Sequence, residues 1–464
     1  MKTYQFPITG FIKPFICCFV ISLLCGIGTI SAKEKTPVLA GDGVADDTRA
    51  IQAILDSGQE TVYLPVPKKC YLISKALRIH SNQTLRLDPN TVIKLADNSN
   101  DYLLINDNRE KGDKNIRIIG GIWDCNNARQ TCGYRENIRN SSPFTTYMGC
   151  GMFLMNIENL WIEGLTIKDP ETFGVHLAKV RMFTVKDIVF DYNMELINED
   201  GIHIKGPSSH GFIQNLKGNT NDDMVALNAD DQDCFEPSRG PITDIRIDGL
   251  YAPNGFTAVR LLSAGSPVKR VHISNIYGTF RYNVVSFTQF GLHKGEPRLF
   301  EDITIDNVYV ARLREPDGKP AKERRHVGEH TPSKLTDEEI ADDTEPWYEA
   351  QRKGHPFFWI QDGVTIDKLT ISDIARHEWL PGTQPLITID KDVKILNLKL
   401  RDILQENNTD QPLPLILNEG TIERLLIDNV EIREKNEANK VQSFTGGGKV
   451  VEKHGDFFMG FNKK

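Results

Sequence analysis

A short motif recurs along most of the chain and constrains the fold more than any other feature. It reads apolar residue, any residue, Gly/Asp/Asn, apolar residue, and copies lie at 162–165, 185–188, 213–216, 247–250, 273–276, 305–308, 371–374, 400–403 and 427–430. Alternating apolar and polar residues, many of them β-branched, are typical of a half-buried strand. The Gly, Asp or Asn predicts a bend with left-handed backbone.

The spacing of the motif predicts how the strands are connected. Its third position recurs after 23, 28, 34, 26, 32, 66, 29 and 27 residues. Apart from the 66-residue step, these steps are too short for a strand–helix–strand unit or for a propeller blade of about 40 residues, and they suit one coil of a β-solenoid. Successive coils would pair in parallel about 4.8 Å apart and stack inward Ile, Val and Leu into one core. We therefore predict an all-β fold, a single-stranded parallel β-helix.

Two further segments complete the predicted organisation. Residues 41–55 predict a helix that Asp46 or Asp47 caps, with Ile51, Ile54 and Leu55 on its apolar face, and such a helix can close the open end of a solenoid. The 66-residue step contains a charged, strand-poor insertion at 312–356, and 124–148 form a second extended loop. We predict one β-helix domain over 33–464 with the loop insertion at 312–356.

The first 32 residues predict an export signal. Lys2 and Lys13 precede an apolar stretch at 14–30, and Ser31 and Ala32 follow it. The predicted location is secreted or periplasmic, with cleavage, a lipid anchor at Cys25 and an uncleaved membrane anchor as the open alternatives. No other segment has the ~20 apolar residues of a membrane span, so we expect no membrane contact beyond this one.

The charge balance excludes one class of partner. The formal net charge is −8, whereas nucleic-acid binding normally selects a basic face. An acidic substrate remains open because a basic pocket can lie on an acidic protein. No CxxC spacing marks a zinc site, and we predict neither a metal nor a cofactor.

Two acidic segments, 198–204 and 221–227, predict a chemical centre. Aligning Ile202 and Ile204 with the corresponding apolar pair of the second segment puts Asp200 and Asp223 in the same register, one coil apart, with Asp222 adjoining. Three close acids cannot all ionise without cost, so at least one pKa should rise. A protonated acid beside an ionised base is what glycoside hydrolysis requires. The alternative is that these aspartates only cap turns, as Asp187, Asp402 and Asp428 are expected to do.

The same alignment predicts the surroundings of the acids. It gives one column of Phe173, Asp200, Asp223, Thr257 and Asn283 and a second column of His176, His203, Ala226, Arg260 and Ser286. If these strands share one sheet, both columns line one groove face. The predicted catalytic residues are Asp200, Asp222 and Asp223, and the predicted substrate-binding residues are Asn198, His203, His176, Phe173, Arg260, Thr257 and Asn283. A structural role for the two histidines stays open.

These residues resemble the pectate-lyase-like right-handed β-helix superfamily, and more narrowly the family 28 glycoside hydrolases, the polygalacturonases and their relatives. The segment GDGVADDTRAIQAIL resembles the N-terminal capping segment of the superfamily. Asn198-Glu199-Asp200-Gly201 resembles the Asn-Thr-Asp-Gly motif of the family, and 221–227 resembles its Gly-Asp-Asp-Cys-Val-Ala-Ile motif. The resemblance covers about 38–311 and, as repeats, most of the rest.

The resemblance implies a right-handed coil and an inverting hydrolysis. One of Asp222 and Asp223 would be the general acid, while Asp200 and the other would hold the attacking water. The chain departs from the family in two places: Thr257 stands in the register of the histidine of Gly-His-Gly, and 281–286 lack Arg-Ile-Lys. Arg260 lies in the column of that arginine, one coil early. The hydrolytic centre thus resembles that of the family, whereas the residues that give the family its specificity for polygalacturonate are missing.

We therefore expect an exported glycoside hydrolase that cleaves a polysaccharide such as pectin. Its partner would be a polysaccharide or oligosaccharide, with a neutral sugar or a uronate bound by Arg260 both open. Two alternatives remain on the same scaffold: a calcium-dependent polysaccharide lyase with Arg260 as base, and a non-catalytic sugar-binding solenoid or adhesin.

Overall fold

The computed structural model describes residues 38–130, 147–194, 196, 198–230, 237–289, 296–312, 355–381 and 384–462. The chain divides into two units, Met1–Thr36 and Pro37–Lys464. The first unit and the predicted signal peptide lie outside the described residues, as do nearly all of the predicted insertion at 312–356 and most of the loop at 124–148. The domain boundaries thus stay predictions, and the following concerns the second unit.

The described part of this unit contains one α-helix, one short 3-10 helix and 28 strands. Helix α1 is Thr48–Leu55, and a short 3-10 helix spans Asn127–Arg129. The strands are β1 Thr61–Leu64, β2 Tyr71–Ile73, β3 Leu77–Ile79, β4 Thr84–Leu87, β5 Val92–Leu95, β6 Leu104–Asn106, β7 Asp113–Ile119, β8 Ile122–Asp124, β9 Met152–Glu163, β10 Thr166–Lys168, β11 Val175–Asp191, β12 Ile202–Lys205, β13 Ser208–Asn219 and β14 Asp223–Asn228. They continue with β15 Ile242–Gly255, β16 Thr257–Leu262, β17 Val268–Phe280, β18 Val285–Thr288, β19 Leu299–Arg312, β20 Phe358–Ile360, β21 Thr365–Glu378, β22 Ile387–Ile389, β23 Lys394–Asn407, β24 Ile416–Asn418, β25 Thr421–Glu434, β26 Phe444–Thr445, β27 Lys449–His454 and β28 Phe457–Phe461.

Strands one coil apart pair with each other, and the pairs are parallel. Short strands form one series, in which β12 pairs with β14, β14 with β16 and β16 with β18. Long strands form a second series, in which β13 pairs with β15, β15 with β17 and β17 with β19. A chain that returns to the same side after each coil and pairs in parallel is a β-helix. The predicted right-handed parallel β-helix is confirmed.

The recurring Gly, Asp or Asn residues bend the long strands. All nine third positions of the motif have positive φ, from 52° at Asn429 to 84° at Gly249. The asparagines among them also bond from coil to coil: the Asn307 side chain donates to Asn275 Oδ1 at 2.6 Å, and that of Asn429 donates to Asp402 Oδ1 at 2.7 Å. The sequence prediction of a left-handed bend at this position is confirmed. We name this column of residues the bend ladder.

The core lies inside the coils, and α1 closes its first end. Inward side chains from β1 to β28 form one buried apolar cluster, which Ile51 and Leu55 of α1 join. The N–H of Thr48, at the start of α1, donates to Asp46 Oδ1 at 2.9 Å. The side chain of Asp47 instead accepts the backbone N–H groups of residues 40 and 41. Among the described residues, no helix has the length and apolar character needed to cross a membrane.

Candidate functional site

Strand register brings the two acidic segments together. In the pairing of β12 with β14, Ile202 lies opposite Val225 and Ile204 opposite Leu227. The backbone N–H of Gly201 donates to the carbonyl oxygen of Asp223 at 2.9 Å. The predicted alignment of the two acidic segments therefore matches the structure. Because the inward positions are apolar, the side chains that alternate with them point away from the core.

Three carboxylates meet at the start of these strands. Asp200, Asp222 and Asp223 each offer an oxygen, and these oxygens all lie within 4.8 Å of one another. Asp200 and Asp223 are 1% and 2% exposed, whereas Asp222 is partly exposed. Solvent therefore reaches the cluster at Asp222. We call these three residues the aspartate cluster.

The acids of the cluster have different surroundings. Burial, followed by the nearby charges of Asp222 and Asp223, raises the pKa of Asp200 well above its ordinary value. Asp223 instead faces Arg260, whose Nε lies 2.8 Å from its Oδ2. A guanidinium at this distance favours the ionised form of a carboxylate. The cluster thus combines Asp200, which resists ionisation, with Asp223, which pairs with the cation of Arg260. Its three carboxylates would also suit a divalent cation.

The two predicted columns share one face. His176 lies opposite His203, Ala226 opposite Arg260, and Arg260 opposite Ser286. The ring of Phe173 stacks on that of His203, with centroids 3.8 Å apart and an angle of 12° between the planes. The imidazoles of His176 and His203 lie 5.1 Å apart.

Both histidines are buried beside the cluster. His203 Nδ1 lies 2.5 Å from Asp200 Oδ2, and His203 is 1% exposed. Burial is the main cause that lowers the pKa of both His176 and His203 well below the usual value, and the charge of Lys205 adds to it. Both rings are therefore neutral near pH 7. Their side chains contact protein groups in this structure, and a contact with substrate stays a prediction.

The other predicted binding residues lie around the cluster at different depths. Thr257 is opposite Asp223 and buried. Asn283 is also buried, and its side-chain amide donates to the carbonyl of Pro356 at 2.7 Å, which supports the backbone of the next coil. Asn198 is partly exposed and has a positive φ of 60° at the turn before the cluster.

Several residues near the cluster were not singled out in the sequence. The Asn228 side-chain nitrogen lies 3.2 Å from His203 Nε2, and Arg281 donates to Asn221 Oδ1 at 2.8 Å. The rings of Phe256 and Tyr282 stack with centroids 4.7 Å apart. Extending the columns by two residues would have found Asn228, because it lies opposite Lys205. The side-chain contacts themselves cannot be predicted from the spacing of residues in the sequence.

A separate cleft lies elsewhere on the surface. It has a volume of about 360 Å³ and is lined by the end of α1 and by residues 80–83. It contains none of the predicted site residues. Its lining includes His80, whose Nε2 lies 2.8 Å from Asp56 Oδ1.

Sequence comparison finds one family model that matches part of the chain. Residues 37–236 match the family model described as rhamnogalacturonase A/epimerase, pectate lyase-like. The resemblance to the pectate-lyase-like β-helices is confirmed. The matched residues include α1, the whole aspartate cluster and both histidines, whereas the coils that carry Arg260 and Asn283 lie beyond them.

Curated relatives match a shorter part. The pre-neck appendage protein of Bacillus phage phi29 is 32% identical over 114 residues, which are 24% of this chain and 13% of the phage protein. The preneck appendage protein of Bacillus phage PZA matches over the same shares. The chain thus matches only a small part of the length of these relatives.

Solved structures resemble nearly the whole chain. The A-module of the mannuronan C-5 epimerase AlgE4 of Azotobacter vinelandii has a TM-score of 0.52 and 14% identity, over 89% of this chain and 97% of that one. The family 28 exopolygalacturonase of Yersinia enterocolitica has a TM-score of 0.49 and 14% identity, over 88% and 76%. At such identity the likeness concerns the fold, which is one that carbohydrate-active enzymes use.

Proposed function

We propose that this protein is an exported glycoside hydrolase that cleaves a polysaccharide of the pectin type. The observation that carries the proposal is the aspartate cluster, three carboxylates within 4.8 Å at a place that solvent reaches through Asp222. Turn capping alone does not explain the aspartate cluster, because an aspartate can cap a turn without two further carboxylates beside it. The name rhamnogalacturonase in the matching family model supports a pectin-like substrate.

Each acid has a role that follows from its surroundings. Asp222 is the general acid that protonates the leaving oxygen, because it is the most exposed member. The guanidinium of Arg260 beside Asp223 favours the carboxylate form of that acid, and Asp200 is the base. A water between two oxygens that lie within 4.8 Å of each other can donate to both. Asp200 and Asp223 thus hold the attacking water together.

The stereochemical outcome that we predict is inversion. Inverting sites usually separate their two carboxyl groups by about 6.5–9.5 Å, and retaining sites by about 5–5.5 Å. The oxygens of this cluster lie within 4.8 Å of one another, which is closer than the inverting range. Proton NMR of the first-formed anomer, recorded before mutarotation, decides between inversion and retention.

A cation-dependent lyase is the second candidate, and one observation favours it. Three carboxylate oxygens within 4.8 Å can hold Ca²⁺, and Arg260 lies beside them as a possible base. The ion pair between Arg260 and Asp223 opposes this role, since it stabilises the guanidinium. We therefore rank hydrolysis first.

One experiment separates the candidates. The purified protein is incubated with a panel of pectic and other polysaccharides, and the products are weighed by mass spectrometry. Hydrolysis predicts products that have gained one water, without ultraviolet absorbance. Unsaturated products that absorb in the ultraviolet and vanish with a chelator would replace hydrolysis by the lyase, and binding without any product would leave a sugar-binding protein.

A further inference from the structure

We propose that Asn228 and His203 form a relay that sets the orientation of Asp200. Asn228 selects the imidazole tautomer that carries its proton on Nδ1, and this N–H then holds the carboxylate of Asp200 towards the attacking water. The inference rests on the proposed function for the role of Asp200, whereas the tautomer itself is independent of any activity. His203 and Asn228 are then positioning residues.

The contact at Nδ1 gives the first half of the relay. His203 Nδ1 and Asp200 Oδ2 lie 2.5 Å apart, and both side chains are 1% exposed. One proton must lie between these two atoms for them to approach so closely. It belongs either to an Nδ1–H that donates to an ionised oxygen or to a carboxylic acid that donates to Nδ1. The distance alone does not choose between them.

The contact at Nε2 makes the choice. The Asn228 side-chain nitrogen lies 3.2 Å from His203 Nε2. An amide nitrogen only donates, so Nε2 accepts and carries no proton. In a neutral imidazole the other nitrogen then holds the proton. Nδ1–H donates to Asp200 Oδ2, and any proton that Asp200 binds lies on its other oxygen.

The surroundings keep the imidazole neutral and fix its plane. A second proton on Nε2 would face the N–H groups of Asn228, and the charge of Lys205 on the same strand also opposes it. Phe173 stacks over the ring at 3.8 Å, which prevents the ring from turning. The charged and titratable groups that face the pair are His176 from β11, Lys205 from β12, Asp222 and Asp223 at the start of β14 and Arg260 from β16.

The relay joins two coils. His203 lies on β12, whereas Asn228 ends β14, the strand that begins with Asp223. The coil that supplies Asp223 therefore also supplies Asn228, which orients His203, the partner of Asp200. Lys205 lies opposite Asn228, so the register that aligns the acids aligns the relay as well.

Nitrogen-15 NMR of the full chain labelled at histidine tests the tautomer directly. The His203 signals are assigned by their loss in His203→Asn. We expect the unprotonated nitrogen, which resonates at much higher nitrogen shift, to be Nε2. In Asn228→Asp the new carboxylate can only accept a hydrogen bond, so we expect the proton of His203 to lie on Nε2. A wild-type ring with its proton on Nε2, or with two protons at pH 7, would overturn the relay.

A matched pair of substitutions tests the role in catalysis. In His203→Asn the amide nitrogen can take the place of Nδ1 and still donate to Asp200, whereas His203→Leu removes the donor. We expect His203→Leu to lower kcat/KM by about tenfold to one-hundredfold, which is what a hydrogen bond to a charged group contributes, and to move the acid limb of the pH profile to higher pH. His203→Asn should recover most of the rate and the original acid limb.

The control is His210→Asn at an exposed position with a positive φ of 56° that asparagine tolerates. Equal rates and equal pH profiles for the asparagine and leucine variants of His203 would refute the relay. If the wild type hydrolyses no polysaccharide, the proposed function fails, while the NMR result still decides the tautomer.

Discussion

Two faces of the same solenoid use one backbone for different purposes. On β25 the burial alternates, with buried Ile and Leu between residues that solvent reaches. On β12 and β14 every residue is buried, the outward polar ones included. The parallel register is the same on both faces. The comparison shows that the inward residues specify the fold, whereas the outward residues decide whether a face carries a site.

The largest expected effect comes from changing an acid on the site face. Asp200→Asn keeps the shape but removes the base, and we expect kcat/KM to fall by about 10²–10⁴-fold. The matched control is Asp428→Asn on β25, where the side chain is exposed, and its kcat/KM should equal that of the wild type. An active Asp200→Asn protein would remove Asp200 from the mechanism.

The same variant should separate activity from stability. Burial raises the pKa of Asp200 in the folded state, so ionisation of this group costs stability as the pH rises from the unfolded value through the folded one. Asp200→Asn removes that cost. We expect its free energy of unfolding at pH 7 to equal or exceed that of the wild type, and a lower value would contradict the stated cause of the shift.

A smaller effect is expected from changing a residue of the bend ladder. Asn275 has a φ of 61° and accepts the side chain of Asn307 at 2.6 Å. Asn275→Ala loses that bond and the bond that Asn275 donates to Asp248, and it puts an alanine into a left-handed conformation. We therefore expect it to cost about 2–4 kcal/mol of unfolding free energy. kcat/KM should not change.

Asn275→Gly is the matched control for this position. It loses the same ladder bond but accepts the positive φ, so chemical denaturation should find it more stable than the alanine variant. Equal stability of the two variants would show that the bend is not a left-handed constraint.

The third and smallest effect is the pH profile of the wild type. The base must be ionised, and its pKa is raised. We therefore expect kcat/KM to fall as the pH drops through that raised value, with the acid limb above the ordinary 3.8 of an aspartate. An acid limb at or below 3.8 would show that another group is the base.

Much of this could be predicted from the sequence because it depends on period and register. The left-handed residues of the bend ladder, the parallel coils and the alignment of Asp200 with Asp223 follow from spacing alone. The contact of Asn228 with His203 could not be predicted in this way, nor could the pairing of Arg260 with Asp223. Both depend on side-chain torsions that the backbone period does not specify. The alignment likewise could not predict how deeply the two histidines are buried, because it gives only their register.

The central claim is that the aspartate cluster acts as one catalytic unit, and a double-mutant cycle tests it most directly. kcat/KM is measured for Asp200→Asn, Asp223→Asn and the double variant on one polysaccharide. Residues that act together give strongly non-additive losses. We predict that the double variant is no slower than the slower single one. Losses that multiply would mean that Asp200 and Asp223 act independently and would contradict a shared site.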